Sequence, residues 1–294
     1  MLTPDNVTTL PVTPRRSTGV SQALRALREE IECRHGKWDI TGSDGGSALY
    51  RLTVASDRAT RERAYRLAHR VYERCGYAAS GSGLCVCEYD LKPATLTLLI
   101  EDMDGRDIGT VSLVFDSAAD LPCDEIYRGE LDGLRARGCK LVEVTRLVMD
   151  EAHAHSRLLL IRMFNCIQIF AHRVRHATDF VIEVNPTHVN YYRRLLKFDV
   201  LGEERPCPRV KGAPAVLLRL NLAFAQNEIE RFRGAENRAS ERSLYPYAYG
   251  ASDEREAADF MARGCRPMNL EDARYFNLVP CEKVAAGALA AAGR

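Results

Sequence analysis

The stretch LVEVTRLVM, residues 141–149, places Glu143 and Arg146 inside an apolar run with no turn-forming residue. Its valines and alternating apolar positions predict a strand. The two charged residues are three apart. On a regular strand they face opposite sides of the sheet. Both reach one site only if the strand bulges, so an irregularity is expected between 143 and 147.

Downstream of that strand, Ser156 is positioned to cap a long helix with Leu160, Met163, Phe164, Ile167, Phe170, Ala171 and Val174 inward. Residues 179–184 (DFVIEV) read as a buried strand, 187–196 as a short helix, and 198–203 and 214–220 as strands. Upstream, a strand over 48–55 leads to a helix capped by Asp57 or Thr60. Its inner face is Ala64, Leu67, Ala68, Val71 and Tyr72, and Gly76 terminates it. Strands over 95–101 and 108–115 flank an Asp104-Gly105 hairpin turn, and a helix follows over 124–137. The order β-α-β-β-α-β-α-β-α-β-β over 48–221 predicts an α/β layered domain with a mixed sheet.

The flanks read differently. Residues 1–19 are rich in Pro, Thr and Ser and read as disordered; 20–34 repeat apolar residues at helical spacing; 41–47 form a Gly- and Ser-rich linker. Residues 1–47 are therefore expected to be an arm, with the domain starting at Ala48. Beyond it, 222–294 is expected to be a helical extension. It has helices near 222–233 and 252–263, tyrosines at 245, 247 and 249, and an Ala-rich tail.

Lys+Arg is 41 and Asp+Glu is 40, a balance that argues against a nucleic-acid binder. No apolar run approaches the roughly 18 residues of a membrane span. No basic segment followed by an apolar core opens the chain. The ten cysteines are scattered without a CxxC pair, so reduced thiols and a cytoplasmic protein are expected. No metal site is expected: His172 and His176 share a helix face without an evident third ligand.

The segment Val184-Asn185-Pro186-Thr187-His188-Val189-Asn190-Tyr191-Tyr192-Arg193-Arg194, followed by Phe198, resembles the late strand and following helix of the GNAT acyltransferase superfamily. Lys197 stands where that family has glycine, and the spacing to Phe198 is one residue longer. Glu143-Val144-Thr145-Arg146 is similar to the Glu-x-x-Arg strand of acyl-homoserine-lactone synthases. Tyr65-Arg66-Leu67-Ala68-His69-Arg70-Val71-Tyr72 and Glu88-Tyr89-Asp90 occupy the places of that family's Arg-x-x-Val-Phe helix and acidic loop. Taken with Gly212-Ala213-Pro214-Ala215-Val216, the chain most resembles the bacterial long-chain N-acyl amino acid synthases over about 48–221.

That resemblance implies a mostly antiparallel central sheet with helices on both faces. It also implies transfer of a fatty acyl group from a thioester to the amine of an amino acid. The donor is acyl carrier protein or coenzyme A, with no tightly bound cofactor. The glycines of the usual pyrophosphate loop are absent, and His153-Ala154-His155-Ser156-Arg157 stands in their place. This favours a carrier-protein phosphopantetheine, which has a single phosphate to cradle.

The chemistry needs a base for the ammonium, donors for the tetrahedral oxyanion and an acid for the thiolate. Glu143 is the first candidate base, directly or through water, with His188 as the alternative, and Tyr192 is the candidate acid. Arg146 either binds the substrate carboxylate or braces Asp90. Arg66, Arg70, Asp90 and Thr145 complete the acceptor-side candidates. Leu147, Val148, His155, Ser156, Arg157 and Asn185 are the donor-side candidates. Arg173, Arg175, Arg193, Arg194, Lys197, Arg205, Arg209 and Lys211 are positioned to gather into a basic patch for an acidic carrier protein. Three other readings stay open: a homoserine-lactone synthase, a coenzyme A-dependent N-acetyltransferase, and a non-catalytic GNAT-like module that binds a carrier protein or lipid.

Overall fold

The computed structural model describes residues 37–41, 48–78, 83–154, 156–233 and 241–278. The expected arm helix over 20–34, the Ala-rich tail and His155 lie outside them.

Eight strands form one sheet in the order β1-β2-β3-β4-β5-β6-β8-β7. They are β1 (Lys37–Thr41), β2 (Ala48–Val54), β3 (Leu96–Asp102), β4 (Asp107–Phe115), β5 (Leu141–Met149), β6 (Asp179–Val184), β7 (Asp199–Cys207) and β8 (Ala213–Asn221). Every neighbouring pair is antiparallel except β5–β6, which is parallel. The described helices are α1 (Arg58–Arg74), α2 (Asp124–Arg135), α3 (Arg157–Ile169), α4 (Pro186–Leu196), α5 (Leu222–Phe232), α6 (Ala251–Gly264) and α7 (Leu270–Tyr275). This is the mixed, mostly antiparallel sheet with helices on both faces that the resemblance implies.

Local chemistry sets the element ends. Asp57 accepts the Thr60 amide at 3.0 Å and opens α1. Gly76 follows its end at φ +77°. Gly105, at φ +82°, turns the β3–β4 hairpin. Asn185 caps α4 by accepting the Thr187 amide at 3.1 Å, and Pro186 sits in the first turn. Lys197 ends α4 at φ +59°. A glycine adopts this left-handed conformation without strain, which gives the Gly-to-Lys departure a physical meaning.

The sheet has two dressed faces. On one, α1 packs Leu67 and Ala68 against Leu99 and Val148. On the same face α2 packs Tyr127, Leu131 and Leu134 against Val114, Leu141, Val181 and Leu217. The other face carries α3, α5 and α6, whose Met163, Ile167, Ile229 and Phe260 share one core with Leu98, Val111, Val142 and Leu218.

Two elements lie where no element was expected from sequence. The edge strand β1 pairs Lys37–Thr41 with β2, so the sheet starts upstream of Ala48. Its Trp38 ring sits 5.4 Å from Tyr249 and 6.3 Å from Phe260. Five residues fall below the length at which alternation is persuasive, and their pairing comes entirely from β2. The short helix α7 is held by ion pairs from Arg58 and Arg61 to Asp272 at 2.9 and 3.2 Å.

Candidate active site

Strands β5 and β6 pair only as far as Glu143↔Val181. Beyond that point β5 runs on to Met149 and β6 to Val184 without pairing, and the two part. The gap widens into a cavity of about 600 Å³, a volume that suits a small-molecule site.

The expected bulge is present on β5. Thr145 and Val148 pair with Ser112 and Thr110, so Arg146 and Leu147 together oppose the single residue Val111. Arg146 adopts φ +52° there. The extra residue brings Arg146 to the sheet face that also carries Glu143, and turns Leu147 toward the opposite core.

Arg146 braces Asp90 through its terminal nitrogens, while its buried Nε has no hydrogen-bond partner. Its Nη1 and Nη2 donate to Asp90 at 2.7 and 2.5 Å, and Nη1 also donates to the Cys85 carbonyl at 3.0 Å. The guanidinium lies 5.1 Å from the Tyr65 ring centroid. Asp90 accepts the Cys87 amide as well, at 2.9 Å. Both partners are only 4% exposed. A substrate carboxylate would have to displace a buried, bidentate partner, so the structure realises the bracing alternative.

Glu143 is 2% exposed, and its Oε2 accepts the backbone amide of Cys123, at the start of α2, at 2.8 Å. Burial raises its pKa above the usual carboxylate range. The Glu183 carboxylate raises it further, while Arg209 and the Cys123 thiol and amide oppose the shift. Glu183 is also raised by burial, against the pull of Arg209. Arg209 pairs with Glu183 Oε2, donates to the Pro122 carbonyl, and lies 3.3 Å from Glu125. On the far side of the opening Tyr192 lines the same cavity, its ring 5.9 Å from Phe198. Burial raises the Tyr192 pKa, which keeps its hydroxyl protonated.

The site thus offers a buried carboxylate able to take a proton near neutral pH, a neutral phenol, and a cleft open between two strands. Backbone groups on the β6 side of β5 beyond Glu143 have no β6 partner.

Comparison with known proteins places these features. The family model described as "N-acyl amino acid synthase FeeM" matches residues 63–221. The chain belongs to the FeeM family of N-acyl amino acid synthases. The solved structure of FeeM from uncultured soil microbes is 28% identical, with a TM-score of 0.53, covering 59% of this chain and 91% of that one. The acyl-homoserine-lactone synthase LasI is 17% identical over 60% of this chain and 91% of its own, with a TM-score of 0.47. The coenzyme A-dependent acyl-homoserine-lactone synthase BjaI, solved with isopentyl-CoA, is 16% identical over 83% of this chain and 100% of its own, with a TM-score of 0.45. No curated protein matches. This FeeM-family chain is an N-acyltransferase on the GNAT fold.

Of the residues singled out from sequence, the cavity brings together Glu143, Thr145, Arg146, Leu147, Asn185 and Tyr192. Asp90 stands behind Arg146. Val148 packs under α1 instead of lining the cavity. Arg66 and Arg70 are exposed on α1, with Arg66 paired to Glu62 within the helix. His188 is exposed on α4. Ser156 is occupied in capping α3, accepting the Leu159 amide at 3.2 Å, and Arg157 stacks 5.6 Å from the Tyr247 ring. Of the seven described candidates off the cavity wall, the five on or capping helices (Arg66, Arg70, Ser156, Arg157 and His188) miss it for one reason: sequence spacing sets a helix face but not what that face meets.

Four of the eight basic-patch candidates are held in ion pairs. Arg173, Arg205, Arg209 and Lys197 are paired with Glu254, Glu130, Glu183 and Glu241. Two residues of the site escaped sequence reading as site residues, Glu183 and Arg209. The available signal for Glu183 was a carboxylate inside the apolar strand DFVIEV.

Proposed function

We propose that this FeeM-family enzyme transfers a fatty acyl group from a thioester to the amine of an amino acid, with Glu143 as base and Tyr192 as proton donor. The observation that carries this reading is the position of Glu143. It is the last residue of β5 that pairs with β6, at the root of a mostly apolar cavity that opens between the two strands. The acceptor ammonium gives a proton to Glu143. The freed nitrogen attacks the thioester carbon, and unpaired β5 backbone amides receive the oxyanion. The C–S bond then breaks, the thiolate takes a proton from Tyr192, and Tyr192 recovers one from the amide nitrogen.

Acyl carrier protein is the proposed donor. Helix α4, which carries Tyr192 into the cavity, has no acidic residue, and its Arg193 and Arg194 are exposed. That charge suits an acidic carrier. The absence of the glycine loop before α3 supports the same choice.

The test is incubation of the purified enzyme with acyl-carrier protein or acyl-coenzyme A and a pool of amino acids, with mass spectrometry of the products. An N-acyl amino acid formed faster from the carrier supports the reading. An acylated lactone, formed only when S-adenosylmethionine is added, replaces it.

A further inference from the structure

The cavity holds a second carboxylate that the proposed chemistry leaves without a task. Val181 is the register partner of Glu143, and Glu183 lies two residues further along β6, on the same face. Both carboxylates therefore stand on the side of the sheet covered by α2, where β5 and β6 part. Both line the cavity.

The partners of Glu183 are unevenly shared. Its Oε2 is held by Arg209, whereas its Oε1 is buried and has no hydrogen-bond partner. A buried, unpaired carboxylate oxygen is costly unless something donates to it. Around it stand Glu143 on β5, Cys123 just before α2, Glu125 and Tyr127 on α2, Cys207 on β7, and Arg209 in the turn before β8, while Tyr89 and Lys92 face Glu143 from the loop before β3. Arg209 is the one cation of those around Glu183, and it faces three carboxylates. The environment selects for a small cationic donor.

We propose that Glu183 is the second half of the acceptor seat, its unpartnered Oε1 receiving the ammonium of the incoming amino acid beside Glu143. This rests on the N-acylation reading and deepens it. The ammonium donates one N–H to Glu183 and one to Glu143. Glu143 takes a proton, the nitrogen lone pair forms the N–C bond, and the resulting oxyanion collapses as the C–S bond breaks. The nitrogen's second proton reaches the departing thiolate by way of Tyr192, and the proton on Glu143 returns to solvent. Glu183 stays charged throughout and holds the nitrogen in line. It also makes proton transfer to Glu143 easier, because two adjacent negative charges favour a proton on one of them.

The experiment measures kcat, KM and the pH profile of kcat/KM for the amino acid that the pooled assay selects, in the wild type, Glu183→Gln, Glu183→Asp and Arg209→Met. Glu183→Gln should raise the acceptor KM about tenfold or more while kcat changes less. Its acid limb should move to lower pH, since the neighbouring charge is gone. Arg209→Met should move that limb to higher pH. Glu183→Asp should recover part of the acceptor affinity.

A Glu183→Gln enzyme with wild-type KM and an unmoved limb overturns the inference while the acyltransferase reading stands. So does a Glu183→Gln enzyme whose only change is a smaller folded fraction. If Glu183→Gln does not fold, Glu183→Asp and Arg209→Met carry the same comparison. A wild-type enzyme that acylates no amine from either donor removes the functional reading and this inference with it.

Discussion

Arg146 and Asp90 form a buried two-pronged ion pair, with N–O distances of 2.7 and 2.5 Å, at the point where β5 bulges. The pair ties the loop before β3 to the strand that carries Glu143. It fixes one wall of the cavity, where Arg146 is among the lining residues.

Asp90→Ala should leave the Arg146 charge buried and uncompensated. The expected cost is about 3–5 kcal/mol of folding stability. Urea unfolding should show this as a lower midpoint at unchanged slope. Arg146→Lys should not restore the wild type, since an ammonium makes one contact where the guanidinium makes two. A midpoint unchanged by Asp90→Ala contradicts the brace.

Glu143→Gln should reduce turnover about 10²–10⁴-fold while the circular dichroism spectrum stays native. Residual activity above that range in a folded variant assigns the proton to another group.

The same substitution carries a pH signature. The folded pKa of Glu143 is raised, by burial first and by Glu183 second. The stabilisation linked to its bound proton is therefore complete below the unfolded value of about 4.3. It is lost as pH rises through the raised folded value. The wild type should lose thermal stability over that rise, and Glu143→Gln should lose less, so the variant's melting advantage should grow with pH. Parallel melting curves across pH contradict it.

Tyr192→Phe should lower kcat by about 10²-fold with little change in acceptor KM, because the ring still packs on Phe198 while the proton is gone. Rate measurements with a donor whose thiol is more acidic should narrow the gap, as a better leaving group needs less proton transfer.

Gly202→Ala tests how tightly the α2 face is built. A Cβ there would stand 2.6 Å from the Tyr127 ring. That ring cannot yield freely, because its hydroxyl donates to the carbonyls of Glu203 and Ala215 at 2.9 and 2.7 Å. A loss of about 1–3 kcal/mol is expected in denaturant unfolding. Gly109→Ala should cost less: its nearest neighbour is the Met163 sulfur at 3.3 Å, on a flexible side chain.

Much of the fold was legible from local pattern. Alternation in 141–149, the Asp104-Gly105 turn and the Asp57 and Ser156 caps act within a few residues of chain, and each appears where it was expected. The bulge at Arg146 was legible too, since two charged residues three apart cannot share one face of a regular strand. The surface cations were not. Arg66 meets Glu62 on its own helix, and Arg205 meets Glu130 from a distant strand; no spacing rule announces the second kind of partner.

The amino-acid sequence alone determined the elements, their order and the residues able to do chemistry, because dihedral preference, capping and periodicity are short-range. Only the tertiary structure decided that β5 and β6 stop pairing at Glu143 and that Glu183 comes to stand beside it. It also decided that Arg146 is paired with Asp90. Those outcomes depend on which strands become neighbours and on how far burial strips water from a charge, and both are set by residues far away along the chain.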